Sequence, residues 1–418
     1  MKKKIILHCD LNYFYAAVEE LHQPYTRSVP MAVGGDKEKR HGIILAKNTL
    51  AKKYGVQTGE PLWQAKQKCP NLVILPARFS LYMKFSKKVM DIYKRYTDLI
   101  EPFGIDEAWL DVSSCERLYG DGLAIAQQIS HDIKQECGLT VSIGVSDNKI
   151  YAKLGSDYKK PDAITVLDDS NIHKIIYPLP VEDLLYVGRA TKQKLYRYGI
   201  KTIGDLAHTP LQFLVDRFGK WGHVLHRFSN GLETSDVKHF SHHNIVKSIG
   251  NSITSKVDLN SLNDVKIVAT VLCESVASRL KQHQLACKTI SITMRDEDLH
   301  TFTRQIGCDV PTDTSEDLIH YAMILFTENF DFSKRYRSIG VRAEQLVNHE
   351  VAWQISMFTS VEHHLRSRTI DTTMDAIRSR FGHESIQRGI SLSNLSLSDF
   401  NPKEDHVIFP FAYFKESI

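Results

Sequence analysis

Gly104-Ile105-Asp106-Glu107-Ala108-Trp109 sets two adjacent carboxylates between two largely apolar stretches, 100–105 and 108–112. Neighbouring side chains of an extended strand point to opposite faces, so Asp106 and Glu107 reach one site only where the chain turns sharply. This pattern predicts the tip of a β-hairpin that holds a metal ion. Adjacent acids are also common in solvated turns, and the pair by itself does not separate the two interpretations.

A third carboxylate, Asp10, closes the apolar run Ile5-Ile6-Leu7-His8-Cys9, which has the pattern of a buried strand. Acids that converge from a strand end and a hairpin tip suit hard divalent cations. Mg²⁺ takes a few carboxylate oxygens together with waters or substrate phosphates, and two such ions can stabilise the attacking and leaving oxygens of a phosphoryl transfer. The three acids therefore predict a magnesium site for phosphoryl-transfer chemistry.

The length and composition describe a soluble chain of several globular modules. With 418 residues, it is long enough for about three or four cores. It has no uninterrupted apolar stretch of about 18 residues, and its lysine-rich start lacks a small-residue cleavage site, so we expect no membrane span, no signal peptide and a cytoplasmic location. The seven scattered cysteines fit reduced thiols rather than a disulfide framework or a zinc site. The net charge of +4 does not by itself indicate nucleic-acid binding.

Three motifs resemble, in order and spacing, those of the Y-family (translesion) DNA polymerases, and the resemblance extends over nearly the whole chain. Residues 10–19 are similar to the first motif of that family, and residues 105–111 are similar to its acidic hairpin. Residues 142–149, followed by Lys160-Pro161, are similar to the third motif. Several ordered motifs at the family spacing are far more specific than any one of them. The resemblance is to the DinB-like and UmuC-like bacterial members.

The resemblance implies an α+β multidomain protein with the right-hand architecture of a polymerase. The patterns along the chain agree, because apolar residues recur at helical spacing over 80–98 and residues 247–346 have the pattern strand, helix, strand, strand, helix, strand. A short amphipathic helix is expected at 375–382. The expected parts are a palm (1–12 and 79–176), small fingers (13–78), a helical thumb with a helix-hairpin-helix (177–238), a linker (239–246), an α/β little finger (247–346) and a C-terminal tail (347–418).

The resemblance also implies the roles of the acids. Asp10 and Asp106 would bridge two Mg²⁺ ions in the active site. Glu107 would hold the ion that activates the primer 3′-hydroxyl, and the Leu11 carbonyl would complete the ligands. These roles make Asp10, Asp106 and Glu107 the expected catalytic residues.

The first motif continues into aromatic residues, Tyr13-Phe14-Tyr15. A bulky ring under a nucleotide sugar would clash with a 2′-hydroxyl, which distinguishes RNA precursors from DNA precursors. By position Tyr15 resembles the steric gate of the family, and Tyr13 and Phe14 would lie beside the substrate. Aromatic residues at the start of a helix are also common core residues. Lys160 corresponds to the lysine that binds the triphosphate in the family.

This sequence departs from the family pattern at several positions. Thr49 stands where many members have tyrosine and Lys52 where many have arginine, so these two triphosphate contacts are expected to be weaker or different. An isolated lysine on a helix is commonly just solvated. Asn12 replaces the second aspartate of the first motif, which is not usually a direct metal ligand. Gly104 replaces a common serine before the hairpin.

Two further pairs follow from the resemblance. Ile43 and Leu45 would form the roof over the nascent base pair, where many relatives carry smaller residues. Gly188 and Arg189 lie in a stretch that resembles a helix-hairpin-helix, whose backbone amides at a helix start can hold a DNA phosphate. Tyr186 replaces a usual glycine of this motif. A Gly-Arg turn between helices can equally be structural.

A pentapeptide after the last expected strand resembles the short peptide by which bacterial polymerases dock on the sliding clamp. It offers one amide to fix its register and three apolar side chains to fill a hydrophobic groove. The match is short, and the segment could instead pack on the protein. The expected clamp-binding residues are Gln354, Ile355, Met357 and Phe358.

We interpret the chain as a template-directed, low-fidelity DNA polymerase that works past damaged template bases. Its partners would be primer–template DNA and an incoming dNTP, and it would act as a monomer. No segment has the pattern of a proofreading exonuclease, so base selection would depend on the shape of the site. A non-catalytic DNA-binding protein of the same fold is the main alternative, and a palm-type nucleotidyl cyclase would lack the thumb and little finger. A nucleophile elbow, a P-loop and a zinc ligand pattern are absent from the sequence.

Overall fold

The computed structural model describes residues 4–35, 42–242, 245–350 and 361–403. These residues form two compact units, an N-terminal unit (4–35 and 43–242) and a C-terminal unit (245–350 and 361–403). Within these ranges no helix is long and apolar enough to cross a membrane. All seven cysteines carry free thiols, and five of them are buried, which agrees with the expectation of reduced cysteines.

The described residues of the N-terminal unit form eight strands and twelve α-helices. The strands are β1 (Ile6–Leu11), β2 (Met31–Gly34), β3 (Ile44–Lys47), β4 (Val73–Pro76), β5 (Ile100–Pro102), β6 (Glu107–Asp111), β7 (Val141–Ser146) and β8 (Ile164–Val166). The helices are α1 (Phe14–His22), α2 (Thr49–Lys53), α3 (Leu62–Lys68), α4 (Phe79–Tyr93), α5 (Glu116–Tyr119), α6 (Gly122–Cys137), α7 (Lys149–Tyr158), α8 (Ile172–Ile175), α9 (Arg189–Arg197), α10 (Ile203–His208), α11 (Leu211–Phe218) and α12 (Lys220–Ser229).

The largest sheet of this unit has the strand order β5-β6-β1-β7-β8, with β1 at its centre. β1 pairs antiparallel with β6 and β7, and residues 6–9 are buried. A strand covered on both faces has a nearly continuous apolar sequence, against which Asp10 stands out. Helix α7 lies directly on β7, because a Cβ atom at Gly144 would come within 1.8 Å of the Ala152 carbonyl oxygen. This close approach brings the polar side chains of α7 to the end of β1.

Helix α4 is shorter than the apolar pattern predicts. The pattern favours a helix to residue 98, whereas α4 ends at Tyr93. Thr97 Oγ1 donates to the Asp111 carbonyl oxygen (2.7 Å) and accepts from the Leu99 N–H (3.1 Å). These bonds turn the chain into β5, and the partner at the end of β6 is invisible to a local helical pattern. The prediction for 94–98 is therefore wrong.

A second sheet, β3-β2-β4, lies within the segment predicted as fingers. Asn48 joins this sheet to α2, because its side-chain oxygen accepts from the Ala51 N–H (2.9 Å) of the helix and the Met31 N–H (3.1 Å) of β2. Helices α9 to α12 lie in the segment predicted as thumb, and they share an apolar core with α8, which lies at the end of the segment predicted as palm. The most buried members of that core include Leu195, Ile203, Leu206 and Leu214.

The C-terminal unit confirms the predicted order of strand, helix, strand, strand, helix, strand. Its strands form one antiparallel sheet in the order β11-β10-β12-β9. Helices α13 and α14 pack on this sheet through an apolar core. The elements are β9 (Ser248–Leu259), α13 (Leu262–Gln282), β10 (Leu285–Asp296), β11 (Thr301–Thr312), α14 (Ser315–Asn329), β12 (Tyr336–Asn348), α15 (Val361–Phe381) and α16 (Leu395–Ser398).

Within the segment predicted as a C-terminal tail, residues 361–403 pack on the C-terminal unit. The short helix expected at 375–382 is the last part of α15, a helix of 21 residues that contacts α13 and α14. Arg378 and Arg388 each lie 2.9 Å from the buried Glu274, and Arg388 also lies 3.1 Å from the buried Asp371. These ion pairs, here called the polar clasp, make 361–403 part of the folded unit rather than a free tail.

Candidate active site

The predicted hairpin brings the three acids to one end of the central sheet. Asp106 lies in the turn between β5 and β6, directly before Glu107, the first residue of β6. Glu107 lies opposite Asp10 in the pairing of β1 with β6, and the Leu11 N–H donates to the Asp106 carbonyl oxygen (2.9 Å). The acids therefore converge from two strands that backbone hydrogen bonds hold together, as the sequence pattern predicts.

The three carboxylates repel one another in a largely buried environment. Burial, together with the negative charges of Asp10 and Glu107, raises the pKa of Asp106 to about 7. Burial also raises the pKa of Asp10, against the opposing effect of Lys160. Burial acts in the same direction on Glu107, but a histidine on β1 and a lysine on α7 outweigh it and lower its pKa to about 2. Asp106 is thus an acid whose ionised form is disfavoured by its surroundings.

Two lysines bind the other two acids directly. Lys160 Nζ lies 2.7 Å from Asp10 Oδ2 and 2.6 Å from Asp157 Oδ1. Lys153 Nζ lies 2.6 Å from Glu107 Oε2. Sequence reasoning singled out Lys160 and missed Lys153. The signal that could have found it is the spacing of four and three residues among 149, 153 and 156, which places polar residues along one face of α7.

The residues fit a hard divalent cation. In the described ranges no group of three or more His, Cys, Asp or Glu side chains is arranged to hold a metal ion as it stands, and lysines occupy one oxygen each of Asp10 and Glu107. The raised pKa of Asp106 shows that the lysines leave negative charge that a doubly charged ion would compensate. Gly104 keeps space beside the acids, because a Cβ atom there would lie 3.2 Å from Asp106 Oδ1 and 3.3 Å from Glu107 Oε1.

Tyr15 is held in a group of aromatic rings near the acids. Its ring stacks on Tyr82 with centroids 4.5 Å apart, and Phe79 meets it edge-on at 5.9 Å. The Tyr82 hydroxyl donates to Glu19 Oε1 (2.7 Å), a buried carboxylate that also pairs with an arginine. Burial and the charge of Asp106 raise the pKa of Tyr15 to about 12, so its hydroxyl is protonated at neutral pH. The ring is therefore neutral and fixed in direction.

The two aromatic residues before Tyr15 differ in exposure. Tyr13 is half-buried and has a left-handed φ of 39° at the start of α1. The Phe14 side chain is 2% exposed and packs against the rings of Tyr15 and Tyr82. The Phe14 side chain lies on the buried face of α1, and the contact of Phe14 with substrate stays a prediction.

Comparisons with known proteins decide the family. Family models match three segments: the impB/mucB/samB family at residues 9–157, the thumb domain of DNA polymerase-iota at 182–233, and the C-terminal domain of the impB/mucB/samB family at 246–357. DNA polymerase IV of Acetivibrio thermocellus is 48% identical over 95% of this chain and 99% of that protein. DNA polymerase IV of Pelotomaculum thermopropionicum is 38% identical over 93% of this chain and 95% of that protein. The chain belongs to the Y family of DNA polymerases, in its DNA polymerase IV branch.

The fold of this Y-family polymerase has a solved counterpart. A Y-family DNA polymerase chimera superimposes with a TM-score of 0.72 at 23% identity, and the match covers 82% of this chain and 99% of the chimera. The α+β right-hand architecture expected from the sequence is confirmed at the level of the fold, with palm, small fingers, helical thumb and little finger. The DinB-like branch is the one to which the relatives belong.

The nucleotide contacts predicted in the fingers lie on α2, and the predicted roof residues lie on or directly before β3. Thr49 is the exposed first residue of α2, and Lys52 is exposed in its last turn. Burial and the positive charge of Lys52 lower the pKa of Lys47, so these two cations lie close together. Ile43 is 42% exposed immediately before β3, and Leu45 is half-buried two residues later. Residues two apart in an extended chain share a face, so Ile43 and Leu45 can form one surface.

The predicted phosphate contact lies at the start of α9. Gly188 is the N-cap and Arg189 the first residue of this helix, whose first N–H groups have no acceptor within the helix. Arg189 is exposed, and no ion pair joins it to another described residue. Tyr186, which stands where glycine is usual, has a left-handed φ of 69°, at a cost of about 1–2 kcal/mol. The turn geometry is therefore retained despite the substitution.

Asn12 has a structural role beside the acids. Its side-chain nitrogen donates to Thr140 Oγ1 (3.1 Å), and its oxygen accepts from Ser142 Oγ (2.8 Å). An aspartate could not donate to Thr140, so asparagine joins the ends of β1 and β7 without adding a fourth charge. The predicted clamp-binding residues Gln354, Ile355, Met357 and Phe358 lie outside the described residues.

Proposed function

We propose that this polymerase copies a DNA template past damaged bases, with low fidelity, by metal-assisted phosphoryl transfer. The observation that carries the proposal is the crowding of Asp10, Asp106 and Glu107, which raises the pKa of Asp106 to about 7. Membership of the DNA polymerase IV branch supports the same reaction. Three mutually repelling acids destabilise the fold, and such unfavourable local arrangements are expected at functional sites. A non-catalytic accessory protein would have no use for them.

Two Mg²⁺ ions are proposed to bind at these acids. Asp10 and Asp106 would bridge both ions, Glu107 would hold the ion nearer the primer 3′-hydroxyl, and the Leu11 carbonyl would complete the ligands. Bound there, the ions would stabilise the charge that develops on the transferred phosphate. Lys160, 2.7 Å from Asp10, is close enough to exchange that carboxylate for a triphosphate oxygen when substrate enters.

The incoming deoxynucleotide is proposed to lie over Tyr15, whose neutral and fixed ring would clash with a 2′-hydroxyl. Thr49 and Lys52 would approach the triphosphate from the fingers, and the charge that Lys52 exerts on a neighbouring lysine supports a cationic surface there. Ile43 and Leu45 would form the roof over the new base pair. Their branched side chains would leave less room for bulky template lesions than smaller residues do.

Primer–template DNA is the proposed macromolecular partner. Gly188 and Arg189 would bind one backbone phosphate, with the exposed arginine adding charge to the helix N–H groups. The domain boundaries are proposed as predicted from the sequence, except that residues 361–403 belong to the C-terminal unit. A monomeric state and a cytoplasmic location are part of the same proposal.

The segment 354–358 is proposed to bind the sliding clamp. Replacing Gln354, Met357 and Phe358 together by alanine should remove clamp-stimulated synthesis and leave clamp-free primer extension intact. Both activities are measured on the same primer–template with and without loaded clamp. Stimulation that survives would place the clamp contact elsewhere, and loss of clamp-free extension would show that the segment is structural.

Primer extension across one damaged template base tests the proposed function. The wild-type protein with Mg²⁺ and four dNTPs should extend the primer beyond the lesion. Asp106→Asn should abolish extension while DNA binding persists, because the charge of the acid rather than its size is needed. Asp91→Asn, which changes an exposed carboxylate of α4, is the matched control and should extend normally. Near-normal extension by Asp106→Asn would overturn the assignment.

A further inference from the structure

His8 is a buried polar residue to which the proposed reaction gives no role. It lies two residues before Asp10 on β1, so both side chains lie on the same face of the central sheet. The residue is 0% exposed, and its ring packs on that of Trp109 with centroids 5.2 Å apart. His8 Nδ1 lies 2.8 Å from Ser156 Oγ, and Nε2 lies 3.3 Å from Glu107 Oε2. His8 therefore connects α7 to the acidic hairpin.

Ser156 determines which ring nitrogen of His8 carries the proton. Its hydroxyl donates to the Lys153 carbonyl oxygen (2.8 Å), and its Oγ lies 2.8 Å from His8 Nδ1. That carbonyl lies inside α7 and accepts the helical N–H four residues later, so it does not depend on the hydroxyl. If the hydroxyl turns from that carbonyl and donates to Nδ1 instead, the ring proton is on Nε2 and points to Glu107. The other tautomer would set a lone pair against a carboxylate oxygen at 3.3 Å.

Two side chains therefore approach one oxygen of Glu107: Lys153 donates to it, and His8 Nε2, which has no other hydrogen-bond partner among the described residues, faces it at 3.3 Å. Lys153 Nζ lies 2.6 Å from the same Oε2 that His8 approaches. Among the described residues no hydrogen bond is formed to Oε1, and a Cβ atom at Gly104 would lie 3.3 Å from it. The carboxylate is held through Oε2, and Oε1 lies next to the space that the glycine leaves open.

We propose that His8 is a positioning residue for metal binding: with Ser156 it fixes Glu107 through Oε2 and leaves Oε1 as the single oxygen that binds the ion. The inference rests on the proposed function, since it acts through one of the proposed metal ligands. Lys153 supplies charge from a flexible stem, whereas a buried ring held by Trp109 and Ser156 fixes direction. Hydrogen-bond partners of metal ligands commonly change metal affinity by about 10- to 100-fold.

Two substitutions of His8 form a matched pair, because both remove the ring that packs on Trp109. The amide of His8→Gln can reach the position of Nε2 and donate to Glu107, whereas the amide of His8→Asn reaches only the position of Nδ1. We expect His8→Asn to weaken metal binding by about 10- to 100-fold and His8→Gln to recover most of it. Ser156→Ala should weaken binding by about tenfold. Ser130→Ala in α6, which also removes a buried hydroxyl, should leave it unchanged.

Metal affinity can be measured without activity. Tb³⁺ is titrated into the DNA-free protein, and luminescence sensitised by Trp109 reports binding, with Trp109→Phe as the control for the other tryptophans. In a separate assay, Mg²⁺ titration of primer extension should rank the variants in the same order, with the KM for dNTP unchanged. Thermal unfolding of each variant separates lost packing from lost metal binding.

The outcomes are distinct. Equal Tb³⁺ affinity in His8→Asn and His8→Gln, or wild-type affinity in Ser156→Ala, overturns the proposal. A lower melting temperature in both His8 variants with unchanged affinity would assign His8 to packing alone. A wild-type protein that binds Tb³⁺ but extends no primer would instead overturn the proposed function, and the comparison of the two variants would still decide the role of His8.

Discussion

Replacing Asp106 by asparagine should make the metal-free protein more stable at neutral pH while it abolishes synthesis. The pKa of Asp106 is about 7 in the folded protein and 3.8 ordinarily. One pKa unit corresponds to about 1.4 kcal/mol, so keeping this acid ionised disfavours the folded state by on the order of 4 kcal/mol. Between about pH 4 and pH 7 the folded protein retains a proton that the unfolded chain has lost. Stability therefore falls as the pH rises through this window, and the loss is complete above it.

Unfolding in the presence of a chelator measures this effect. The free energy of unfolding of the N-terminal unit is compared for wild type and Asp106→Asn from about pH 4 to pH 8, with Asp91→Asn as a control. The gain in the variant should be near zero at about pH 4 and reach a few kcal/mol at about pH 8. Added Mg²⁺ should stabilise the wild type and not the variant. A gain that does not depend on pH, or a variant less stable than wild type at about pH 8, would refute the reasoning.

Three further changes test other parts of the molecule. Tyr15→Ala should raise ribonucleotide use far more than it lowers deoxynucleotide use, and an unchanged ratio of the two kcat/KM values would mean that the ring only packs. Thr49→Tyr with Lys52→Arg should lower the KM for incoming dNTP in steady-state kinetics, because arginine binds phosphate bidentately. An unchanged or higher KM would contradict a contact between these two residues and the triphosphate. Arg388→Ala should lower the free energy of unfolding of the C-terminal unit by about 2–3 kcal/mol, measured by urea unfolding. The loss is smaller than for a buried charge left without any partner, because Arg378 still pairs with Glu274 in the polar clasp. No measurable loss would show that solvent screens these ion pairs.

The acids were predictable from the sequence because their signal is local. Apolar flanks fix the strands, and an adjacent Asp106 and Glu107 between them imply a turn. The supporting residues were not predictable in the same way. His8 has the pattern of a core residue on a buried strand, and Lys153 that of a solvated helix residue, until α7 is placed on β7. The early end of α4 likewise depends on the bond from Thr97 to a distant carbonyl.

The C-terminal segment shows that local sequence patterns do not predict contacts between residues far apart in the chain. Its helical pattern near 375–382 was visible, but the helix is held by Arg378, which pairs with Glu274 at a separation of 104 residues. Arg378 and Glu274 lie on different helices, so no local spacing in the sequence could predict that they form an ion pair. Tyr186 is a contrasting case, because the family pattern identified an unusual residue and the structure shows that it still adopts the left-handed turn.

Single-nucleotide incorporation on four primer–templates that differ only in the next template base tests the central claim most directly. The account predicts that, with Mg²⁺, the complementary deoxynucleotide is added preferentially on each template. Addition should cease with a chelator or in Asp10→Asn, while both conditions leave DNA binding measurable. Incorporation that ignores the template base, that persists in Asp10→Asn at the wild-type rate, or that is absent from the wild-type protein would contradict it.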